Sequence, residues 1–289
     1  MFQFKKMKSV RFAPSFFLKA RILQRRGFPV NSIVFDVAGT LVDPYTQSVV
    51  FNIRSSVQKV IPSLLLTEKE IRAHMGLKKT DHLEKLFRIP SVQKRTVGLK
   101  PDMQKIHDLL ERSQIEYYEQ NPKSTELLPG VHETLDLIRR NNRHMQFSLT
   151  TGFHKSILDC VFRNMHDNNN NYYHHYFVST VASDEVKKGR PAPDMILKAV
   201  ESHFRFPFLR SDVQPIINLG DTAADIQTGV AAKCISGAVL RWSNSMALHK
   251  KKDKNAFQKT GDEMFDAGAD FTIDSMEDLP CVLRKLCYE

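Results

Sequence analysis

The sequence predicts an α/β protein: a doubly wound parallel sheet with a helical cap domain inserted after its first strand. Two observations predict it. Short apolar runs recur along the chain with helical patterns between them, and that alternation stops between residues 44 and 128, where helical segments take over. Strands alternating with helices imply a parallel sheet covered on both faces.

The first run, Ser32-Ile33-Val34-Phe35, ends at Asp36 and reads as a buried strand. Comparable runs follow at 145–149, 176–178, 215–219, 235–240 and 270–273. Between them, residues 131–140 carry Val131, Leu135 and Ile138 at the spacing of one helix face. The expected organisation is a basic extension over 1–30, a core from 31–44 and 129–289, and a helical cap over 45–128. The asparagine-rich stretch 167–171, with Tyr172, Tyr173, His174 and His175 behind it, reads as a low-complexity loop. The lysine-rich 250–254 reads as a solvated face or loop.

Charge is concentrated at one end. The chain carries a net charge of +10, yet residues 1–30 hold eight basic groups and no acid, while the rest carries 34 basic and 32 acidic groups. A nearly neutral body argues against a nucleic-acid-binding surface on it. The extension, with Phe2, Phe4, Phe12, Phe16 and Phe17 among its bases, has the composition of an organelle transit peptide. That composition leaves two readings open, a mitochondrial targeting signal or a plain basic tail on a cytoplasmic protein. No run approaches the ~18 apolar residues of a membrane span. Cys160, Cys234, Cys281 and Cys287 form no Cys-x-x-Cys pair, which reads as reduced thiols in an intracellular protein and argues against zinc.

In an open parallel sheet, ligands bind beyond the carboxyl ends of the strands. Four blocks stand there. Asp36-Val37-Ala38-Gly39-Thr40 places a carboxylate before a Gly-Thr turn whose amides can cradle a phosphoryl group. Thr150-Thr151-Gly152 offers a hydroxyl, although Thr151 alone reads equally well as a helix cap. Gly189-Arg190-Pro191 presents one cation from a restricted loop. Gly220-Asp221-Thr222-Ala223-Ala224-Asp225 supplies two carboxylates, the donors a magnesium site needs. Each block alone is a weak signal. Their order at successive strand ends is a strong one.

In that order the chain resembles the haloacid dehalogenase superfamily, with its Rossmann-like core, in which the first Asp accepts the phosphoryl group. Most phosphatases of that superfamily carry a second Asp two residues later to protonate the leaving oxygen. Here that position is Ala38. A general acid commonly contributes ~100-fold or more, so an alkoxide would leave poorly and a carbon leaving group fits better.

The cap segment Met75-Gly76-Leu77-Lys78-Lys79-Thr80-Asp81-His82 supplies the missing chemistry. If helical, it sets Met75, Lys79 and His82 on one face. Lysine is ordinarily charged, with a pKa near ~10.4, but burial can free its amine for imine formation. With Asp-x-Ala-Gly-Thr, this segment resembles the phosphonoacetaldehyde hydrolase family. The resemblance implies hydrolysis of the C–P bond of phosphonoacetaldehyde, with Lys79 forming the imine, His82 assisting proton transfer and Asp36 taking the phosphoryl group. It further implies Mg²⁺ held by Asp36, the Ala38 carbonyl and Asp221 with Asp225 in support, phosphonate contacts from Thr151, Gly152 and Arg190, and a homodimer through the caps. Gly39, Thr40 and Met75 complete the expected substrate contacts. The chain departs from that family at Phe153, often Tyr there, at Asp194, often aromatic, and around Tyr45. A phosphatase of the same fold acting on another small phosphorylated compound, and a non-catalytic phosphate-binding protein, are the alternative readings.

Overall fold

The computed structural model describes residues 17–18, 30–166, 174–201, 216–249, 253 and 255–288. The strands are β1 (Phe17–Leu18), β2 (Ser32–Phe35), β3 (Gln146–Thr151), β4 (Phe177–Ala182), β5 (Ile216–Gly220), β6 (Ile235–Val239) and β7 (Phe271–Ile273). They form one sheet in the order β1-β7-β6-β5-β2-β3-β4. The six strands from β2 onward pair in parallel. β1 alone runs antiparallel, with Phe17 opposite Thr272. The parallel runs seen in the sequence are thus strands, shifted by a few residues at their ends. β1 was not expected, since it lies inside the basic extension. The rest of that extension, and with it the transit-peptide reading, lies outside the described residues. So do 167–173 and 250–252.

Every residue of β2, β5 and β6 is buried, as strands covered on both faces must be. The chain runs outward from β2 through β3 to β4, then returns to lay β5 on the other side of β2. That reversal opens a crevice at the carboxyl ends of β2 and β5, the place where such sheets bind ligands.

Between β2 and β3 stand α1 (Gln47–Val60), α2 (Glu68–Arg72), α3 (Lys79–Phe87), α4 (Pro90–Arg95) and α5 (Met103–Gln120), followed by α6 (Val131–Asn141). α1 buries Val49, Val50, Ile53 and Val57, and α5 buries Ile106, Leu110 and Tyr118. These join one apolar core with Phe35, Phe147 and Phe153 of the sheet side, so the helical insertion is packed onto the sheet. The link into it is strained: Asp43, Tyr45 and Thr46 all have left-handed φ, of 49°, 62° and 49°. Further on come α7 (Lys155–Asn164), α8 (Asp194–Glu201), α9 (Ala223–Ala231), α10 (Ala256–Asp266) and α11 (Leu279–Tyr288).

One expectation is corrected here. Met75 does not share a helix with Lys79, because α3 starts only at Lys79. Gly76 breaks the run with φ +88°, and a Cβ there would lie 2.3 Å from Thr222 Oγ1. The backbone must pass this close to the core, which a continuous helix would prevent.

Candidate active site

Asp36 is set by its own backbone, whose N–H donates to the Leu219 carbonyl at 2.8 Å and ties the end of β2 to β5. The turn after it brings Gly39 against Asp221, where a Cβ would meet Oδ2 at 2.3 Å. That close approach is why the position is glycine. Asp221 directly follows β5, and its Oδ2 accepts the Asn244 N–H at 2.8 Å. Asp225 lies on α9 in a capping box, with Oδ2 accepting from Thr222 N (3.1 Å) and Oγ1 (2.5 Å).

Arg190 enters from the loop before α8 and is buried. Its Nη1 pairs with Asp36 Oδ1 at 2.8 Å and with Asp225 Oδ1 at 2.5 Å. Its Nη2 donates to the Thr150 carbonyl (2.9 Å) and Oγ1 (3.0 Å). The cation expected to hold a phosphonate is therefore also the counter-ion of two carboxylates.

One guanidinium does not balance this cluster. Asp36, Asp221 and Asp225 each present an oxygen within 4.8 Å of the others. Burial, with Asp225 adding to it, pushes the Asp36 carboxyl up to about 7 despite Arg190, and burial with Asp36 and Asp225 pushes Asp221 well above its ordinary range. Buried oxygens crowded with uncompensated charge suit a small divalent cation, so the residues present fit magnesium.

Lys79 faces this cluster from the start of α3 and is buried. Its Nζ stands 5.2 Å from the centroid of the Phe153 ring. Burial lowers its pKa to about 8, with Asp36 opposing and Arg190 assisting. His82 follows one turn along α3, fully buried, and its Nε2 lies 2.7 Å from the Ile71 carbonyl. A carbonyl only accepts, so Nε2 carries the proton and Nδ1 keeps a lone pair, which has no hydrogen-bond partner. Burial and then Lys79 lower this imidazole to about 3, leaving it neutral.

Lys79 and Asp36 line one and the same cavity. Of the residues expected from the sequence, Asp36, Ala38, Met75, Lys79, Thr151, Gly152, Arg190 and Asp221 line it. His82 and Asp225 stand behind the lining. Gly39 and Thr40 are not among the lining residues, and the Gly39 N–H donates to the Val42 carbonyl at 2.7 Å. Thr46, Val49, Gly76, Phe153 and Thr222 complete the lining and were not expected as site residues. Phe153 had a signal, as it directly follows the Thr-Thr-Gly strand end. Thr46 and Val49 had none.

A buried carboxylate was also missed. Asp43 accepts from Ser48 Oγ (2.5 Å) and Tyr118 Oη (3.2 Å), while Gln114 Nε2 donates to Ser48 Oγ (2.7 Å). Burial raises it to about 6, with these hydrogen bonds opposing.

Comparisons with known proteins place the chain in a family of the same fold. The profile of the haloacid dehalogenase-like hydrolases matches residues 33–239. A phosphonoacetaldehyde hydrolase of Latilactobacillus sakei is 28% identical over 89% of this chain and 96% of its own. One from Parabacteroides distasonis is 26% identical over 89% and 97%. Among solved structures, a phosphonoacetaldehyde hydrolase-like protein from Oleispira antarctica superposes with TM-score 0.75 at 22% identity, covering 90% of this chain and 94% of that one. CbbY from Rhodobacter sphaeroides, solved with xylulose-1,5-bisphosphate, gives 0.60 at 16% identity over 86% and 96%. The last two likenesses are of fold.

Proposed function

The chain belongs to the haloacid dehalogenase-like hydrolases, and from that premise we propose that it hydrolyses the C–P bond of phosphonoacetaldehyde to acetaldehyde and phosphate. The observation that carries the reading is the buried Lys79 sharing one cavity with Asp36. An amine in that position can form an imine with an aldehyde, a step that hydrolysis of a phosphate ester does not require.

The steps follow from the residues. Lys79, with its proton affinity lowered by burial, adds through its free amine to the aldehyde carbon, water leaves to give an imine, and the imine nitrogen takes up a proton from solvent to become an iminium. Asp36 Oδ attacks phosphorus, and the C–P electron pair moves into the carbon–carbon bond as the iminium nitrogen becomes that of an enamine. Water then opens the aspartyl phosphate, releasing phosphate. Protonation of the enamine and hydrolysis of the resulting imine release acetaldehyde and restore the Lys79 amine. Ala38 suits this route, because no oxygen leaves and none needs a proton.

Arg190 and Thr151 would bind phosphonate oxygens, and Met75 with Gly152 would shape the cavity around the two-carbon chain. His82, neutral and behind Lys79, would relay protons to and from the amine through Nδ1. Asp36, Asp221 and the Ala38 carbonyl, with Asp225 in support, would hold Mg²⁺, which would supply positive charge at the phosphoryl site. Residues 45–128 would act as the cap that brings Lys79 over the core. Two copies would pair through these caps, where the ring of Phe51 on α1 is 59% exposed.

The test is direct: release of acetaldehyde and phosphate in equal amounts from phosphonoacetaldehyde, with a panel of sugar phosphates far slower. If the esters outrun the phosphonate, the chain is a phosphatase of the same family.

A further inference from the structure

Arg72, the last residue of α2, is a buried cation that the chemistry above does not use. Its Nη1 donates to the Tyr45 carbonyl (2.5 Å) and to Asn244 Oδ1 (2.9 Å), with a longer reach to Thr46 Oγ1 (3.3 Å). Nη2 reaches Gln47 Oε1 at 3.2 Å, and Nε pairs with Glu68 at 2.8 Å. Asn244 answers, its Nδ2 donating to the Arg72 carbonyl at 3.3 Å. The two residues thus grip each other in both directions across 172 positions of sequence.

The same Asn244 gives its main-chain N–H to Asp221 Oδ2 at 2.8 Å. A continuous path therefore runs from the helical insertion to a metal-site carboxylate. It is fastened a second time beside the grip, where the Tyr45 N–H donates to the Trp242 carbonyl at 2.7 Å and the two rings meet edge to face at 5.6 Å.

A buried guanidinium is costly unless its donors are met. The acceptors of Arg72 come from three separate segments: the strained link at 45–47, α2, and the loop after β6. They surround Arg72 only while the insertion is seated on the core. The left-handed Tyr45 and Thr46 persist for the same reason, since such conformations need their surroundings to hold them.

We propose that Arg72 and Asn244 are positioning residues that tie the pose of the Asp221 carboxylate, and with it divalent-cation affinity, to the seating of the helical insertion. The proposal rests on the metal reading above. By linkage, a bound cation favours the seated insertion by the same factor.

The test uses Mn²⁺ alone, titrated into full-length protein without substrate, with the free ion counted by electron paramagnetic resonance. Asn244→Ala keeps the N–H to Asp221 but releases the grip, and should weaken Mn²⁺ binding about 10-fold, as loss of a partner behind a metal ligand typically does. Arg72→Lys, a point charge that cannot reach every acceptor, should weaken it less. The double variant should bind no more weakly than Asn244→Ala, because both act along one path. Glu68→Ala, which removes only the solvent-side partner, should bind as the wild type does. Circular dichroism should match throughout. If Asn244→Ala fails to fold, Arg72→Lys decides alone. Wild-type affinity in the folded variants, or losses that add in the double variant, overturns the proposal and leaves the C–P reading standing. A wild type that binds no Mn²⁺ overturns the metal site and the latch together.

Discussion

The ammonium nitrogen of Lys79 stands 5.2 Å from the centroid of the Phe153 ring. The ring face offers a cation modest electrostatic comfort but no lone pair to accept its protons. Burial therefore dominates, and the amine releases its proton near neutral pH, about 8. That relationship makes the lysine usable as a nucleophile and exposes it to test.

Borohydride added with phosphonoacetaldehyde or acetaldehyde should inactivate the enzyme irreversibly and leave the adduct on Lys79. Its neighbour Lys78 caps α3, with its Cβ 3.1 Å from where a side chain on Gly189 would begin. Lys79→Arg keeps the charge but forms no imine, so turnover should fall to background. Peptide mass spectrometry reads the site, and an adduct confined to Lys78 would refute the assignment.

The pH dependence has a definite sign. Imine formation needs the neutral amine, so kcat/KM should rise with pH through about 8. Stability moves the same way. The folded value of about 8 lies below the unfolded ~10.4, so between them the unfolded chain binds more protons and stability rises with pH. Below pH 8 the burden of the buried charge is fully present, about 3 kcal/mol from the depression. Lys79→Met should thus be more stable than wild type at pH 7, with that advantage shrinking by about 3 kcal/mol by pH 10.5. Urea unfolding at the two pH values measures it, and a constant difference would show that Lys79 is not the buried cation described.

Asp36→Ala should abolish turnover, because no other lining carboxylate has its position at the end of β2. Asp221→Asn should chiefly raise the magnesium requirement, since it removes charge from the cation site while Asn can still accept the Asn244 N–H. Chelation should inactivate the wild type reversibly. An Asp36→Ala enzyme with full activity would exclude the aspartyl-phosphate route.

Gly152→Ala tests how the insertion meets the core. A Cβ at Gly152 would fall 2.5 Å from the Leu77 carbonyl oxygen and 2.8 Å from that of Gly76. These are backbone atoms and cannot swing aside, so the segment carrying Lys79 must shift. Displacement on the order of 1 Å can cost ~100-fold in rate, so kcat should fall by about that factor while the melting temperature changes little. Unchanged kcat would mean that Lys79 does not depend on this contact.

The sequence by itself determined the parallel strands and the polar residues placed beyond their ends. β-Branched and aromatic runs between helical patterns marked the strands; Asp36, Thr151 and Asp221 stood where runs stopped, and Arg190 in the loop after another. These are local signals, because burial on both faces dictates composition over a few residues. Lys79 was legible as a motif, but its lowered proton affinity comes from the burial that the fold imposes on it. Tertiary structure alone decided the rest. It placed Met75 by a glycine turn instead of a helix, spent the Gly39 amide on Val42, set His82 behind the lysine, and made Arg190 the counter-ion of Asp36 and Asp225. The grip of Arg72 on Asn244 belongs with these. Hydrogen bonds and ion pairs between distant segments impose no periodicity on either, so their partners become visible only once the sheet has brought those segments together.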